Sequence, residues 1–366
     1  MGVTIPGTTV CGVPLAAAIG AFGGDPQKGL KTLEDITPRH VEMAQKLIAN
    51  NAVDIAVEET PDFIHLDLTL SAGENCCRVV VKGTHTNVVE LYINGQPQPL
   101  SEKQNTRTQR ETLPTFSLQQ AYDFINRVDF NDIRFILDAA RLNSALAAEG
   151  KTKKYGLNIN GTFSDAVKNG LMSNDLLSKV IINTVAASDA RMGGAPVVAM
   201  SNFGSGNQGI TATMPVVVVA EHLGADEETL ARALSLSHLT AISIHSRYTR
   251  LSALCAASTA AMGAAAGMAW LFTRDINTIN TAIINMVSDI TGMICDGASN
   301  SCAMKVSSVV SSAFKAVLMA MQNSCAGAND GIVCADVEQT INNLCRLVIK
   351  PMTLTDKEII SIMVAK

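Results

Sequence analysis

The chain has 366 residues, 47% apolar and 17% charged, with a formal net charge of -5. That length can bury two ordinary cores, because single domains rarely grow past about 250–300 residues. The acidic balance argues against a nucleic-acid or anionic-membrane partner, and aromatics at 4% beside abundant Ala, Gly, Ser and Met favour closely crossed helices over a β-sandwich.

The first 24 residues carry no formal charge, yet they lack a basic n-region and contain Pro6 and Pro14, so they do not read as a signal peptide. Pro6 also stands where a myristoylation motif needs Ser or Thr. A cytoplasmic location is expected. Leu30, Leu33, Val41, Ala44, Leu47 and Ile48 predict a helix within Lys28 to Asn50. Four strand-like runs follow, Val53 to Glu59, Phe63 to Leu70, Cys76 to Lys82 and Asn87 to Ile93, with short turn-forming separators that predict an antiparallel meander. Asn94-Gly95 closes the last of them. Residues 96–115 are polar and hold three prolines, as expected of a surface connection.

From Ser117 the periodicity is helical. Ser117 and Gln120 form a capping-box pattern opening a helix to Val128. Further helices are predicted at 131–149, 174–187, 226–244, 251–272, 276–286, 302–321, 336–348 and 355–365. Two uncharged stretches, Met192 to Ala220 and Leu251 to Thr273, could be mistaken for membrane spans. Their glycines, prolines and small residues suit buried helices better. The expected fold class is α+β: a small antiparallel-sheet module over residues 1–115, then a larger, mostly α-helical catalytic domain over 116–366.

The nine cysteines are odd in number and fit a reducing compartment, so they are expected as metal ligands, nucleophiles or packed thiols. Cys295 and Cys302 lie seven residues apart around the small, polar stretch Asp296-Gly297-Ala298-Ser299-Asn300-Ser301, which can fold two sulfurs toward one point. The spacing alone is weak evidence, and buried or incidental thiols explain it better. Cys255 stands in a small-residue helix pattern, where a packed thiol explains it. Gly204-Ser205-Gly206-Asn207-Gln208-Gly209 matches G-x-G-x-x-G, but no strand–helix–strand unit surrounds it, so a dinucleotide site is rejected. Its backbone N–H groups could serve a substrate carboxylate at a helix start, or the glycines could simply make a tight loop. His238 and His245, seven apart, share a helix face. His85, in the polar turn Gly83-Thr84-His85-Thr86-Asn87, is either a solvated surface residue or a general base.

Taken together, Ala187 to Gly194, Gly204 to Gly209, Cys295 to Lys305, Gly83 to Asn87 and Leu251 to Gly267 resemble signature stretches of the L-cysteine desulfidase family, itself related to the alpha chain of iron–sulfur L-serine dehydratases. The resemblance runs over essentially the whole chain. It implies a 4Fe-4S cluster held by three cysteines with one iron open, and Cys255, Cys295 and Cys302 fall at ligand-like positions. It implies α,β-elimination of L-cysteine to pyruvate, ammonia and sulfide. For that reaction His85 is the candidate catalytic base and Gly206, Asn207, Gln208 and Gly209 the candidate substrate-binding residues, from their own local settings. L-Serine dehydration by the same chemistry is the alternative, as is a cluster-free regulatory remnant. The expected partner is a small amino acid, with no nucleic acid and no membrane, and a homo-oligomer is compatible. Relatives carry a preceding segment with a Gly-Cys-Thr-Glu-Pro motif, so the chain is expected to be N-terminally truncated and its cluster incomplete.

Overall fold

The computed structural model describes residues 2–58, 60, 62, 64–100, 115–248 and 251–365. Most of the expected connection at 96–115 therefore lies outside the described residues. The chain divides into two compact units, Ile5–Pro114 and a second made of Met1–Thr4 with Thr115–Lys366.

The smaller unit opens with helix α1 (Val13–Gly23) and a short 3-10 segment (Pro26–Lys31), followed by α2 (Pro38–Ala49). Thr37 caps α2 reciprocally with His40, and Pro38 supplies the first helical residue with its φ already fixed. That start signal is why the helix predicted from Lys28 begins only at Pro38. Ile5, Leu15, Ala18, Ile19 and Ala44 form the core between the two helices. An antiparallel sheet follows, β1 (His65–Ala72), β2 (Asn75–Lys82), β3 (Val88–Ile93) and the two-residue β4 (Gln96–Pro97), in sequential order. Leu66 pairs with Val81 and Leu68 with Val79. The strand predicted at Val53 to Glu59 is not formed: residues 53–58 join no ladder, and Ile55 and Val57 are exposed.

The larger unit is helical: α3 (Leu118–Arg127), α4 (Phe130–Ile133), α5 (Leu137–Gly150), α6 (Ile159–Lys168), α7 (Leu176–Met192), α8 (Gly206–Leu223), α9 (Glu227–His245), α10 (Ala256–Thr273), α11 (Ile276–Ile290), α12 (Cys302–Met321), α13 (Val337–Ile349) and α14 (Met352–Val364). The capping box at Ser117 and Gln120 forms as the sequence predicts. At the centre runs α10, packed by α8, α9, α11 and α12, with 15 of its 18 residues buried. Its glycines set the spacing. A methyl group on Gly263 would come within 2.3 Å of the Ser237 carbonyl oxygen in α9. One on Gly267 would meet Val216 of α8 at 2.8 Å and the Ala233 carbonyl of α9 at 2.9 Å. Small residues thus let three backbones approach more closely than branched side chains allow.

The two uncharged stretches become buried helices, α8 and α10. Among the described residues one helix, Cys302–Met321, is long and apolar enough to cross a membrane by length and composition; half of its most apolar window is buried against the rest of the protein. Core helices commonly pass that test.

Candidate active site

Cys255 is not inside a helix, as its surroundings suggest, but caps one. Its backbone is extended (φ -62°, ψ 122°) and it is the N-cap of α10. The preceding residues pair with the segment before the cysteine loop. Cys255 N–H donates to the Met293 carbonyl at 2.9 Å, and Cys295 N–H donates to the Ala253 carbonyl at 2.7 Å, around an antiparallel Leu254–Ile294 bridge. Side chains alternate along extended chains, so Cys255 and Cys295 lie on the same face of this bridge, on its diagonal, a relation that typically separates residues by roughly 7–8 Å.

The chain then turns back through Gly297, whose φ of 94° favours glycine. It reaches Cys302, the first residue of α12. Ser299 N–H donates to the Cys302 sulfur at 3.4 Å, and the thiol points to the Gly297 carbonyl at 3.6 Å. Two of the three thiols therefore stand at helix N-termini, where the macrodipole favours a thiolate. Burial, chiefly, pushes the Cys255 thiol up to about 11, with the Cys295 and Cys302 charges adding to the rise. Burial likewise raises Cys295, and Cys302 again adds to the effect. Cys255 and Cys295 both feel the Cys302 charge. Lys305, one turn along α12 and paired with Asp296, favours the anionic form of Cys255 and of Cys295.

Among the described residues no three His, Cys, Asp or Glu side chains close around a single metal ion. A multi-iron cluster holds its ligand sulfurs farther apart than one ion does. Three thiols on converging elements, two helix N-termini and an ammonium group make a donor set that suits such a cluster.

The glycine loop is the N-terminus of α8. Ser205 is its N-cap and accepts from Gln208 N–H. The N–H groups of Gly206 and Asn207 have no acceptor among the described residues. Gln208 and Gly209 are packed inside: Gln208 is fully buried, and a methyl on Gly209 would strike the Met200 carbonyl at 1.9 Å. The Asn207 side chain is held by Ser188 (3.3 Å) and the Met192 sulfur (3.2 Å).

Behind this loop runs a directed hydrogen-bond chain that the sequence only hinted at through the seven-residue spacing of His238 and His245. Gln208 Nε2 donates to Asn202 Oδ1 (2.8 Å), leaving its Oε1 to accept from His245 Nδ1 (2.7 Å). Asn202 Nδ2 donates to His238 Nδ1 (2.9 Å), so His238 carries its proton on Nε2 and donates to Thr213 Oγ1 (3.0 Å). Thr213 in turn donates to the Gly209 carbonyl at 2.7 Å. The His245 ring is stacked between Phe203 (4.4 Å) and Tyr248 (4.5 Å). Tyr248 is buried, bonds Thr259 at 2.6 Å and has its pKa raised, chiefly by burial. Arg191, at the end of α7, lies against Gly206. Sequence reasoning assigned no role to Arg191, Lys305, His245 or Tyr248; their signal was position within or beside the signature stretches.

His85 belongs to the smaller unit, exposed in the turn between β2 and β3. Asn87, buried, closes that turn through Nδ2 to the Lys82 carbonyl at 2.9 Å.

A family model described as serine dehydratase alpha chain matches residues 27–361. The chain belongs to the serine dehydratase alpha chain family. Within it, a UPF0597 protein of Klebsiella pneumoniae subsp. pneumoniae is 99% identical over 366 residues, covering 100% of this chain and 86% of that protein. UPF0597 protein YhaM of Salmonella typhimurium and of Salmonella typhi is 50% identical over 372 residues, covering 100% of this chain and 85% of each relative. The cysteine loop, the glycine loop and α10 all fall inside the stretch matched by the serine dehydratase alpha chain model.

Proposed function

We propose that this member of the serine dehydratase alpha chain family catalyses iron–sulfur-dependent α,β-elimination on a small L-amino acid, with L-cysteine as substrate and pyruvate, ammonia and sulfide as products. The observation that carries the reading is the Leu254–Ile294 bridge, which sets Cys255 and Cys295 on one face, with Cys302 following at the start of α12. These three thiolates would hold the 4Fe-4S cluster. When bound, such a cluster supplies a Lewis-acidic iron suited to a poor leaving group on the β-carbon.

The chain's own part is binding, orientation and proton handling. The open N–H groups of Gly206 and Asn207 suit a carboxylate at the positive end of α8. Gln208 and Asn202 lock that loop from behind through His245 and His238. Lys305 offsets thiolate charge. His85 is the proposed base for the α-proton. The nine free cysteines suit a reducing, cytoplasmic setting.

L-Serine is the second reading, favoured by the description of the matching family model. The deciding experiment is anaerobic reconstitution with iron and sulfide, followed by iron analysis and by pyruvate and sulfide assays on both amino acids. Sulfide and pyruvate release from L-cysteine, abolished in Cys295→Ala, supports the proposal. Faster pyruvate release from L-serine moves the assignment to serine. A protein that takes up no iron and turns over neither amino acid sinks both readings and leaves a regulatory protein.

A further inference from the structure

The guanidinium of Arg191 rests on the wrong end of a helix. It lies so close over Gly206 that a methyl group there would come 2.2 Å from Nε and 2.8 Å from Cζ. Gly206 is the first residue of α8, where the unpaired N–H groups already make the helix end positive. A cation packed there is repelled unless something negative joins it. Among the described residues Arg191 forms no ion pair with any carboxylate, and the one hydrogen bond of its side chain goes to the Met192 sulfur at 3.0 Å, a weak acceptor. Asp189, two residues earlier, does not help: its Oδ2 accepts from Asn160 N–H at 2.9 Å and Asn160 Nδ2 at 3.1 Å.

Arg191 is half-buried, and among the described residues its guanidinium forms no hydrogen bond beyond the one to Met192. Burial holds its pKa below the usual arginine value, and a Cys302 thiolate opposes that fall, which sets the guanidinium within electrostatic reach of the cysteine site. A planar fork of donors, two backbone N–H groups beside it and no acid to neutralise them match a carboxylate.

We propose that Arg191, lying over Gly206 at the open N-terminus of α8, binds the α-carboxylate of the amino-acid substrate. The proposal rests on the reading that this site takes an amino acid. The carboxylate would take the guanidinium on one side and the Gly206 and Asn207 N–H groups on the other. That anchors the substrate with its β-substituent free to face the thiol cluster. It also gives Gly206 its reason, since any side chain there displaces the guanidinium.

The test is calorimetric titration of the purified chain with L-serine, with pyruvate, which keeps the carboxylate and lacks the amine, and with cysteamine, which keeps the amine and thiol and lacks the carboxylate. Arg191→Gln should weaken L-serine and pyruvate at least tenfold and leave cysteamine unchanged, and Arg191→Lys should recover part of the loss. In reconstituted enzyme the KM should rise at least tenfold with a smaller change in kcat. Should Arg191→Gln fail to fold, Arg191→Lys carries the comparison. Unchanged pyruvate and serine binding in a folded variant overturns the proposal. So does loss of iron with an unchanged KM, which would make Arg191 a partner of the thiolates. If neither L-cysteine nor L-serine turns over, yet pyruvate binding still depends on Arg191, the carboxylate site stands and the elimination reading falls.

Discussion

Cys255 and Cys295 lie diagonally across one antiparallel bridge, joined by the bonds from Cys255 N–H to Met293 and from Cys295 N–H to Ala253. Two segments separated by 40 residues are thereby clamped at the backbone, so the relation of the thiols does not depend on a bound metal. Substituting either cysteine by serine keeps both backbone bonds. Cys255→Ser, Cys295→Ser and Cys302→Ser should each keep the wild-type circular dichroism spectrum while losing bound iron after anaerobic reconstitution. Cys345 is a control: it is buried, its thiol is pushed up to about 11 chiefly by burial, and it points to the Ile244 carbonyl at 3.7 Å. Cys345→Ser should retain iron. Loss of iron in Cys345→Ser, or retention in the other three, refutes the assignment.

Two helix glycines, Gly263 in α10 and Gly20 in α1, give stability predictions of opposite sign. Gly263→Ala forces a methyl to 2.3 Å from the Ser237 backbone oxygen, which cannot move away as a side-chain tip can. Overpacking of this kind costs about 1–3 kcal/mol. Gly20, inside α1, has nothing within 4 Å of an added methyl. Gly20→Ala should stabilise the protein by about 0.5–1 kcal/mol through helix propensity and reduced unfolded-chain freedom. Urea unfolding measures both. A Gly263→Ala midpoint equal to wild type would mean that α9 and α10 are not held this closely.

Much of the helical unit was legible because its periodicity and caps agree, as at Ser117 and Gln120. The extent of the long helix α8 was not, although its stretch was expected to hold a buried helix. Pro215 sits ten residues into it and removes one N–H donor, a signal that ordinarily ends a helix. Burial on every side holds it together, at the cost of Thr211, whose hydroxyl finds no partner among the described residues. Cys255 was misplaced inside α10 for a related reason: Ala and Ser around it carry helix propensity, while only the distant Met293–Cys295 segment draws 253–255 into extended form. The run at 53–58 has strand-like composition yet pairs with no strand among the described residues. The cysteine loop was readable as a motif; the unpaired state of Arg191 could only come from three dimensions.

The buried imidazole of His238 makes a prediction about acid stability. Its ring is enclosed by neutral partners, with Asn202 donating to Nδ1 and Nε2 donating to Thr213, so protonation would remove an acceptor that Asn202 needs. Burial lowers its pKa to about 4 in the folded protein, against about 6.5 in an unfolded chain. Above pH 6.5 the imidazole is neutral in both states and costs nothing. As pH falls below 6.5 the unfolded chain takes up a proton that the native one refuses until about 4, so unfolding gains about 1.4 kcal/mol per pH unit, about 3 kcal/mol across the window. His238→Gln can mimic both hydrogen bonds, with Oε1 accepting from Asn202 and Nε2 donating to Thr213, but cannot titrate. The variant should start less stable near pH 7.5, since Gln fits the ring's place imperfectly, and then lose less stability than wild type between pH 6.5 and 4. The difference between the two slopes isolates His238 from the carboxylates that titrate in the same range. Parallel slopes in urea unfolding at matched pH values would show that His238 is not held neutral, and the directed chain from His245 to Thr213 would then have to include an imidazolium, with the Asn202 amide turned to accept from it.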